Sequence, residues 1–290
     1  MTPETCRVFL HLTESGNLTA TAQALGYTQS GVSHILKTLE EECGLPLMLR
    51  GRKGARLTPA GEELLPYFRS LCRAEEALLE QAQSLRGLEQ GRLRVGSVPS
   101  LSACLLPRLL GQLRRRHPGI QVQLRHGEYK ELEQWLLEGE LDCAFLALPV
   151  SPRLAARLLL EDRIVAVLPQ GHPLACQEKI TGQQLRAQPF IRFEEGWDTE
   201  IRDALAAMDL QPEEVLTVPD DYAILSMVEH GLGVSVLPEL ILTTHPYQVE
   251  VRELDPPARR QMAFAWRKEE TPLPALTAFR RVVEGITPSL

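Results

Sequence analysis

The sequence predicts an α/β protein in three parts: a helical N-terminal domain with a small wing, one long linker helix, and a large α/β domain. Three observations support this architecture. Residues 17–58 hold two short helical segments followed by a basic hairpin pattern, and residues 59–88 repeat apolar residues in alternating steps of four and three. After residue 90, apolar strand segments alternate with helical segments, which favours parallel strands with right-handed crossovers. We therefore divide the chain into residues 1–58, 59–89 and 90–290.

The first part of this division contains two short helices joined by a tight turn. Asn17 can cap the first helix, and Gly26 ends it because glycine tolerates the left-handed conformation. Thr28 can cap the second helix, which continues to about Glu42. Three apolar residues share one face of this second helix by helical spacing: Val32, Leu36 and Leu39. This arrangement is typical of a helix-turn-helix.

The remaining residues of the second helix are polar and suit contacts with DNA bases. Glutamine can pair bidentately with adenine, hydroxyls can donate or accept, and histidine or lysine can reach guanine or a phosphate. We predict DNA contacts from six residues here: Thr28, Gln29, Ser30, Ser33, His34 and Lys37.

A wing follows the second helix. Glycines at 51 and 54 suit a tight hairpin, and four cations within seven residues suit a phosphate backbone. These cations are Arg50, Arg52, Lys53 and Arg56. The alternative is a solvated polar helix followed by a charged loop, but the order and spacing favour DNA binding.

This region resembles the LysR-type transcriptional regulators. The resemblance covers residues 9–61 without a break, including Thr28-Gln29-Ser30 and the segment Leu57-Thr58-Pro59-Ala60-Gly61, and continues more weakly to the C-terminus. Ser30-Gly31 departs from the Pro-Ala often found there in the family, and glycine near a helix start lowers local rigidity.

The linker helix carries a heptad seam. Its members are Leu64, Phe68, Leu71, Leu78 and Leu85. A lone helix has nothing to bury such a seam against, so a second copy of the chain is the natural partner. The alternative is a helix packed on its own domain. The resemblance implies that this helix forms a homodimer, from which a homotetramer can be built.

Composition limits the class of protein. The chain has 290 residues, 44% of them hydrophobic, and no apolar run long enough for a membrane span. Six scattered cysteines and seven histidines show no metal-ligand spacing, and catalytic motifs such as G-x-S-x-G are missing. We therefore expect a reduced, cytoplasmic protein that is not an enzyme and holds no metal or cofactor. The net charge of −7 is compatible with DNA binding because the cations cluster in the wing.

The large domain is implied by the resemblance to be two α/β subdomains, similar to the type 2 periplasmic binding proteins. Subdomain I then spans about 90–160 and 266–290, and subdomain II about 161–265. The two crossing segments lie near Leu160 and Ala265.

A small effector is expected in the cleft between the subdomains, beyond the carboxyl ends of strands. The predicted contacts are Ser97, Ser100, Leu101, Ser102, Arg192, Phe193 and Thr199. Hydroxyls, helix-terminal N–H groups and a guanidinium together favour an anionic effector, most simply a carboxylate. The alternatives are that Ser100 or Ser102 only caps a helix, and that Arg192 pairs with Glu194, Glu195 or Asp198.

Two functions fit these expectations. The first is a transcriptional regulator whose large domain binds the effector and changes the angle between paired DNA-binding domains. Its partners are double-stranded DNA, a second copy of itself, the effector and, as a further candidate, RNA polymerase. The second is a small-molecule binding protein or enzyme whose N-terminal module serves only self-association.

Overall fold

The computed structural model describes residues 1–51, 54–85, 91–193, 199–211, 214–243, 246–268 and 273–285. Within these ranges the side chains of Arg50, Ser84, Thr199, Glu214 and Val215 are outside the description. None of the helices in the described part of the chain has the length and apolar character that a membrane crossing requires.

The N-terminal domain contains the predicted helix-turn-helix and wing. Its elements are α1 (Pro3–Ser15), α2 (Leu18–Leu25), α3 (Gln29–Cys43), β1 (Met48–Gly51) and β2 (Gly54–Leu57). The Asn17 side chain accepts hydrogen bonds from the backbone N–H groups of Thr19 and Ala20, and Gly26 adopts a φ of 74°. Both features confirm the predicted start and end of the first helix of the helix-turn-helix, which is α2, because each satisfies backbone groups that a helix terminus leaves open.

A single helix, α4 (Pro59–Leu85), leads from this domain to the large one. The predicted seam does not lie on one interface. Phe68 is buried in the core of the N-terminal domain, where its ring centroid is 4.7 Å from that of Phe9, and Leu64 packs against the same core. Phe68 is therefore not available to a partner, which corrects the prediction for this residue, whereas Leu64 is only partly buried. Leu71, Leu78 and Leu85 remain exposed.

The large domain alternates strands and helices as predicted. Its strands are β3 (Gly91–Ser97), β4 (Ile120–His126), β5 (Cys143–Ala147), β6 (Leu154–Pro169), β7 (Lys179–Thr181), β8 (Phe190–Phe193), β9 (Glu214–Val218), β10 (Ser235–Pro238) and β11 (Val249–Arg267). Its helices are α5 (Pro99–Cys104), α6 (Leu106–Arg116), α7 (Tyr129–Glu138), α8 (Gly182–Arg186), α9 (Thr199–Ala207), α10 (Asp221–Glu229) and α11 (Pro274–Glu284).

Two elements differ from the sequence prediction. The sequence of residues 101–116 predicts one helix, but the structure breaks it between α5 and α6, where Pro107 lies in the first turn of α6 and has no N–H to continue the earlier helix. The apolar pattern of Met262–Arg267 predicts a short strand, but these residues are the end of β11, which begins at Val249. The sequence hides the earlier part because Pro256 and Pro257 interrupt it, and the pairing register shifts there between Glu253 and Ala258.

The main sheet has the strand order β10-β6-β11-β5-β3-β4, with β7 paired to β11. Strands β4, β3 and β5 are parallel, whereas β11 runs antiparallel to both β5 and β6. A separate parallel pair, β8-β9, belongs to the second half of the domain.

Strands β6 and β11 cross between two hydrophobic cores. On β6, Leu160 packs on the first core and Ile164 lies in the second. On β11, Ala258 packs on the second core, whereas Met262, Phe264 and Ala265 are buried in the first. The crossing of β11 therefore lies between 258 and 262, and not near Ala265 as predicted.

Candidate functional site

The face of α3 that was predicted to read DNA is exposed. Gln29, Ser30, His34 and Lys37 are accessible, whereas Val32, Leu36 and Leu39 on the opposite side are buried. Ser33 is half-buried. Because a rigid apolar side supports these polar side chains, the helix can enter a major groove without disturbing its own core.

The start of α3 is held by its own side chains. The Thr28 hydroxyl accepts a hydrogen bond from the Gly31 N–H at 3.1 Å, and it lies 3.1 Å from the Ser30 hydroxyl. Lys37 lies 3.6 Å from Glu41 one turn later, with both side chains well exposed. Thr28 therefore works as a helix cap, while Gln29 and His34 project into solvent at the accessible end of the helix.

The wing is fixed against the turn between α1 and α2. The Ala55 N–H donates to the Gly16 carbonyl at 2.8 Å. A β-carbon at position 54 would lie 2.5 Å from that same carbonyl oxygen, and Gly54 has a φ of 110°, so only glycine fits. Arg56 on β2 is exposed. The side chain of Arg50, and all of Arg52 and Lys53, lie outside the described residues.

A small cavity of about 40 Å³ lies between the two subdomains, at the predicted cleft. Subdomain I contributes Ser100 and Glu128 to its lining, and subdomain II contributes Phe193 and Asp221. Arg260 reaches the cavity from β11, at the point where that strand crosses from one core to the other.

Arg260 is the centre of a buried polar network. It lies directly opposite Asp162 in the β6–β11 pairing, and its Nε donates to an Asp162 oxygen at 2.8 Å. Its other nitrogens donate to the Tyr129 hydroxyl at 2.9 Å and the Ser100 hydroxyl at 3.0 Å. The second Asp162 oxygen accepts the Leu240 N–H at 3.0 Å. One arginine thus joins subdomain I to the crossing strands.

Asp221, the first residue of α10, differs from the other acids nearby. Its Oδ1 atom is buried and has no hydrogen-bond partner among the described residues. Burial raises the pKa of this carboxyl to about 6, although the Arg260 guanidinium lowers it through space. The cavity therefore contains a carboxylate whose hydrogen-bonding capacity is not used.

The predicted effector residues are only partly brought together. Ser100 and Phe193 line the cavity. Ser97 is fully buried and donates to the Val98 carbonyl, Leu101 packs its side chain in the core of subdomain I, and Ser102 is not among the lining residues. Those three residues do not line this cavity, and their contacts with an effector stay a prediction. Arg192 is half-buried on β8 with contacts of its own, and the Thr199 side chain is outside the described residues.

The capping alternative for the serines is also wrong, because Val98 occupies the cap position of α5 and no side chain caps it. The sequence reasoning missed Arg260 and Asp162. A signal exists for Asp162, since Glu161-Asp162-Arg163 interrupts an apolar strand pattern in the middle of β6. Polar residues at such a point indicate that the strand leaves one core and enters another.

The linker helix α4 is attached to subdomain I by ion pairs. Arg69 contacts Glu138 and Glu140, and Arg73 lies 3.1 Å from Asp142. Arg73 also donates to the carbonyls of Gly139 and Leu141, both at 3.2 Å. Part of α4 therefore packs on its own chain, as the alternative interpretation of this helix held.

Comparison with known proteins agrees with this architecture. The family model of the bacterial regulatory helix-turn-helix protein, lysR family, matches residues 3–62, and that of the LysR substrate binding domain matches residues 86–285. The chain is 30% identical over 268 residues to the uncharacterized HTH-type transcriptional regulator YvbU of Bacillus subtilis (strain 168), covering 91% of each protein. It is also 30% identical over 286 residues to the probable HTH-type transcriptional regulator LrrA of Synechococcus elongatus, covering 98% of this chain and 97% of that one.

Among solved structures, a full-length OxyR variant from Pseudomonas aeruginosa matches with a TM-score of 0.74 and 27% identity, covering 100% of this chain and 96% of that one. The two matched family models together span both the DNA-reading face and the cleft described above. The chain belongs to the LysR family, and it is a DNA-binding transcriptional regulator with a C-terminal effector-binding domain.

Proposed function

We propose that this regulator couples a small effector in the cleft to the way its paired N-terminal domains hold DNA. The observation that carries the proposal is the position of Arg260. It binds Ser100 and Tyr129 of subdomain I and lies opposite Asp162 on the neighbouring crossing strand. A ligand that displaces or reinforces these bonds alters how the two subdomains are joined.

In this proposal Gln29, Ser33 and His34 read base edges, and the cations of the wing contact phosphates. The exposure of Gln29 and His34 on α3 supports the first role, and the exposure of Arg56 on β2 supports the second. Base contacts carry sequence preference, whereas phosphate contacts carry affinity and salt dependence.

Pairing of two chains is proposed through Leu71, Leu78 and Leu85. These leucines are seven residues apart on α4 and have exposures of 39%, 69% and 81%. Large apolar side chains in a row on one helix need a partner surface. Because α4 is also joined to subdomain I through Arg69 and Arg73, a change in that subdomain is passed to the paired helices and on to the DNA-binding domains.

For the effector, we propose a small molecule with an anionic group, held by the donors predicted from the sequence around Ser100 and Arg192. Ser100 supports this role because its hydroxyl lines the cavity beside Arg260. A carboxylate binds well where hydroxyls and a guanidinium converge.

The DNA-reading role is tested by selecting duplexes from a random library with the full-length chain. Gln29→Ala should relax the preference at one base pair and cost about 1–3 kcal/mol, because a bidentate contact is lost. Arg56→Ala should weaken all duplexes alike and reduce the salt slope by roughly one. Unchanged preferences in the Gln29 variant, or a loss in the Arg56 variant limited to one sequence, would contradict the assignment.

The seam is tested by light scattering of a double variant, Leu71→Lys with Leu78→Lys. Paired helices would then bury unpaired charges, so we expect the dissociation constant of the dimer to rise by at least about 100-fold. The matched control is Tyr67→Lys, because Tyr67 is also highly exposed on α4 but lies outside the seam. An intact dimer in the double variant would refute this interface.

A further inference from the structure

We infer that the effector carries a protonated amine that binds the Asp221 carboxylate, so that the ligand is a small amine-bearing carboxylate of the amino-acid class. This inference rests on the proposed function of the cleft and names the kind of molecule that enters it. The proposed function already assigns the anionic group of the effector, and the lining of the cavity indicates the amine.

Three aspartates of the large domain differ in the partners that their carboxylates have. Asp142 is ion-paired with Arg73 and accepts the Arg94 N–H at 2.7 Å, and Asp162 is bonded to Arg260 and to the Leu240 N–H. The Oδ1 atoms of Asp142 and Asp221 both have no hydrogen bond among the described residues, but that of Asp142 lies 3.1 Å from a guanidinium nitrogen of Arg73, whereas no ion pair of Asp221 is described. A buried carboxylate oxygen without a donor is costly, and native structures seldom keep one without a use.

Arg260 lies near Asp221, but its nitrogens donate to other groups. Its Nε is bonded to Asp162, and its two terminal nitrogens are bonded to Tyr129 and Ser100. These bonds fix the orientation of the guanidinium, and its positive charge lowers the pKa of Asp221 through space. Because no donor among the described residues reaches this oxygen, we assign the missing donor to a molecule that enters the cleft.

Acidic side chains outnumber basic ones in the described lining of the cavity. Three of its lining residues are acidic, namely Glu128, Asp220 and Asp221, whereas Arg260 is the cation among the lining residues that the structure describes. Asp220 already caps α10 by accepting the Ala223 N–H at 2.7 Å. Because Asp162 neutralises Arg260, the remaining field favours a positive group.

The volume of the cavity limits which part of the effector it can hold. A volume of about 40 Å³ accommodates an ammonium group, since one water-sized sphere needs roughly 10–15 Å³. It does not accommodate a whole metabolite. Since Phe193, Ser100 and Asp221 line the same cavity, the cleft must widen between the two subdomains when the whole effector binds.

The test is a thermal-shift and calorimetric titration of the full-length chain at pH 7.5. The probes are the standard L-amino acids, each compared with its 2-oxo acid and its N-acetyl derivative, which keep the carboxylate and lose the cationic nitrogen. We expect at least one amino acid to bind at least about 30-fold more tightly than both of its amine-free relatives, because a buried charge pair is lost in them.

Asp221→Asn supplies the decisive variant. It should bring the affinities of the amino acid and its 2-oxo acid within about threefold of each other, because the amide is neutral. Asp203→Asn is the matched control: it makes the same chemical change on the exposed surface of α9 and should leave the discrimination intact. Since the Asp221 variant removes a buried charge without changing shape, it should fold, and its melting temperature checks this directly.

The inference is overturned if the 2-oxo acid binds as tightly as its amino acid, if Asp221→Asn keeps the discrimination, or if no amino acid binds. The proposed function of the cleft is judged separately with Ser100→Trp, whose side chain is larger than the cavity and blocks the cleft, and its melting temperature and DNA binding check that the variant is folded. When a 2-oxo acid binds and Ser100→Trp abolishes its binding, the cleft function stands and only the amine is wrong. When Ser100→Trp leaves every bound compound unaffected, the cleft function fails as well.

Discussion

Asp142 under the linker helix and Asp221 in the cleft both place a carboxylate oxygen out of contact with solvent, but their surroundings differ. Asp142 is fully buried between Arg73 and Arg94, and the Arg94 N–H donates to it at 2.7 Å. The Oδ1 atom of Asp221 is buried too, but it has neither a hydrogen bond nor an ion pair among the described residues. The first arrangement holds two elements together. Under our proposal the second leaves a position for an incoming group, so the same side chain would serve attachment in one region and recognition in the other.

The electrostatics of Asp142 show why attachment should not be equated with stability. Burial raises the pKa of Asp142 more than Arg94 and Arg73 lower it. An ion pair whose desolvation free energy exceeds its electrostatic attraction adds little net stability. Removing one partner is nevertheless strongly destabilising, because it leaves an unpaired buried charge. We therefore regard the contacts of Asp142 as a device that fixes how α4 lies on subdomain I.

The largest expected effect comes from breaking that attachment. Arg73→Ala should destabilise the large domain by about 3–5 kcal/mol, because Asp142 would lose its closest guanidinium while remaining buried. Chemical unfolding followed by circular dichroism measures this. Lys37→Ala is the control, since its pair with Glu41 is exposed and is worth at most about 0.5 kcal/mol. A loss below about 1 kcal/mol for Arg73→Ala would contradict the comparison.

The next effect has the opposite sign. Asp221→Asn should raise stability at pH 7.5 by up to about 3 kcal/mol, because the wild-type carboxylate must be ionised in a buried position there. The folded-state pKa of about 6 exceeds the unfolded value of 3.8, so wild-type stability falls as pH rises through this interval. The variant should lack this fall. Thermal unfolding between pH 4 and 7.5 measures it, and parallel profiles for the two proteins would show that Asp221 is ordinarily solvated.

The smallest expected effect concerns the hydrogen bond from Arg260 to the Tyr129 hydroxyl, which orients the guanidinium toward Tyr129. Tyr129→Phe removes one acceptor of Arg260 and should cost about 1 kcal/mol. The released guanidinium N–H can then turn toward Asp221, so the pKa of that carboxyl should fall. Repeating the pH profile on the Tyr129→Phe background measures this change. An unchanged profile would mean that the bond to Tyr129 does not determine the orientation of Arg260.

Local chemistry explains how much of the fold could be predicted. The caps at Asn17 and Thr28 and the glycine at 26 act within a few residues, and the structure has helix boundaries where these residues indicate them. The alternation of apolar and helical segments likewise predicted most strands of the large domain. Pro256-Pro257 concealed the first half of β11, because a bulge that tolerates proline cannot be distinguished from a loop in the sequence alone.

The sites were less predictable because they depend on residues far apart in the chain. The contact between Arg260 and Ser100 joins positions separated by 160 residues, and no local pattern indicates it. Phe68 has the spacing of a seam residue, but its burial against Phe9 depends on where α4 passes the N-terminal domain. Periodicity identifies a helix face that must be covered, and only the tertiary structure identifies what covers it.

The crossing strands β6 and β11 have a mechanical consequence. They stay paired from Val249–Pro169 at one end to Arg267–Leu154 at the other, so the two subdomains are joined by a two-stranded ribbon and not by loose loops. A ribbon of this kind resists bending in its plane but changes twist readily. Opening and closing of the cleft should therefore be a torsion about the ribbon axis, with the Arg260–Asp162 pair near the pivot. Under the proposed function, an effector would work against this elastic element, and its binding energy would set the angle between the linker helix and the effector-binding domain.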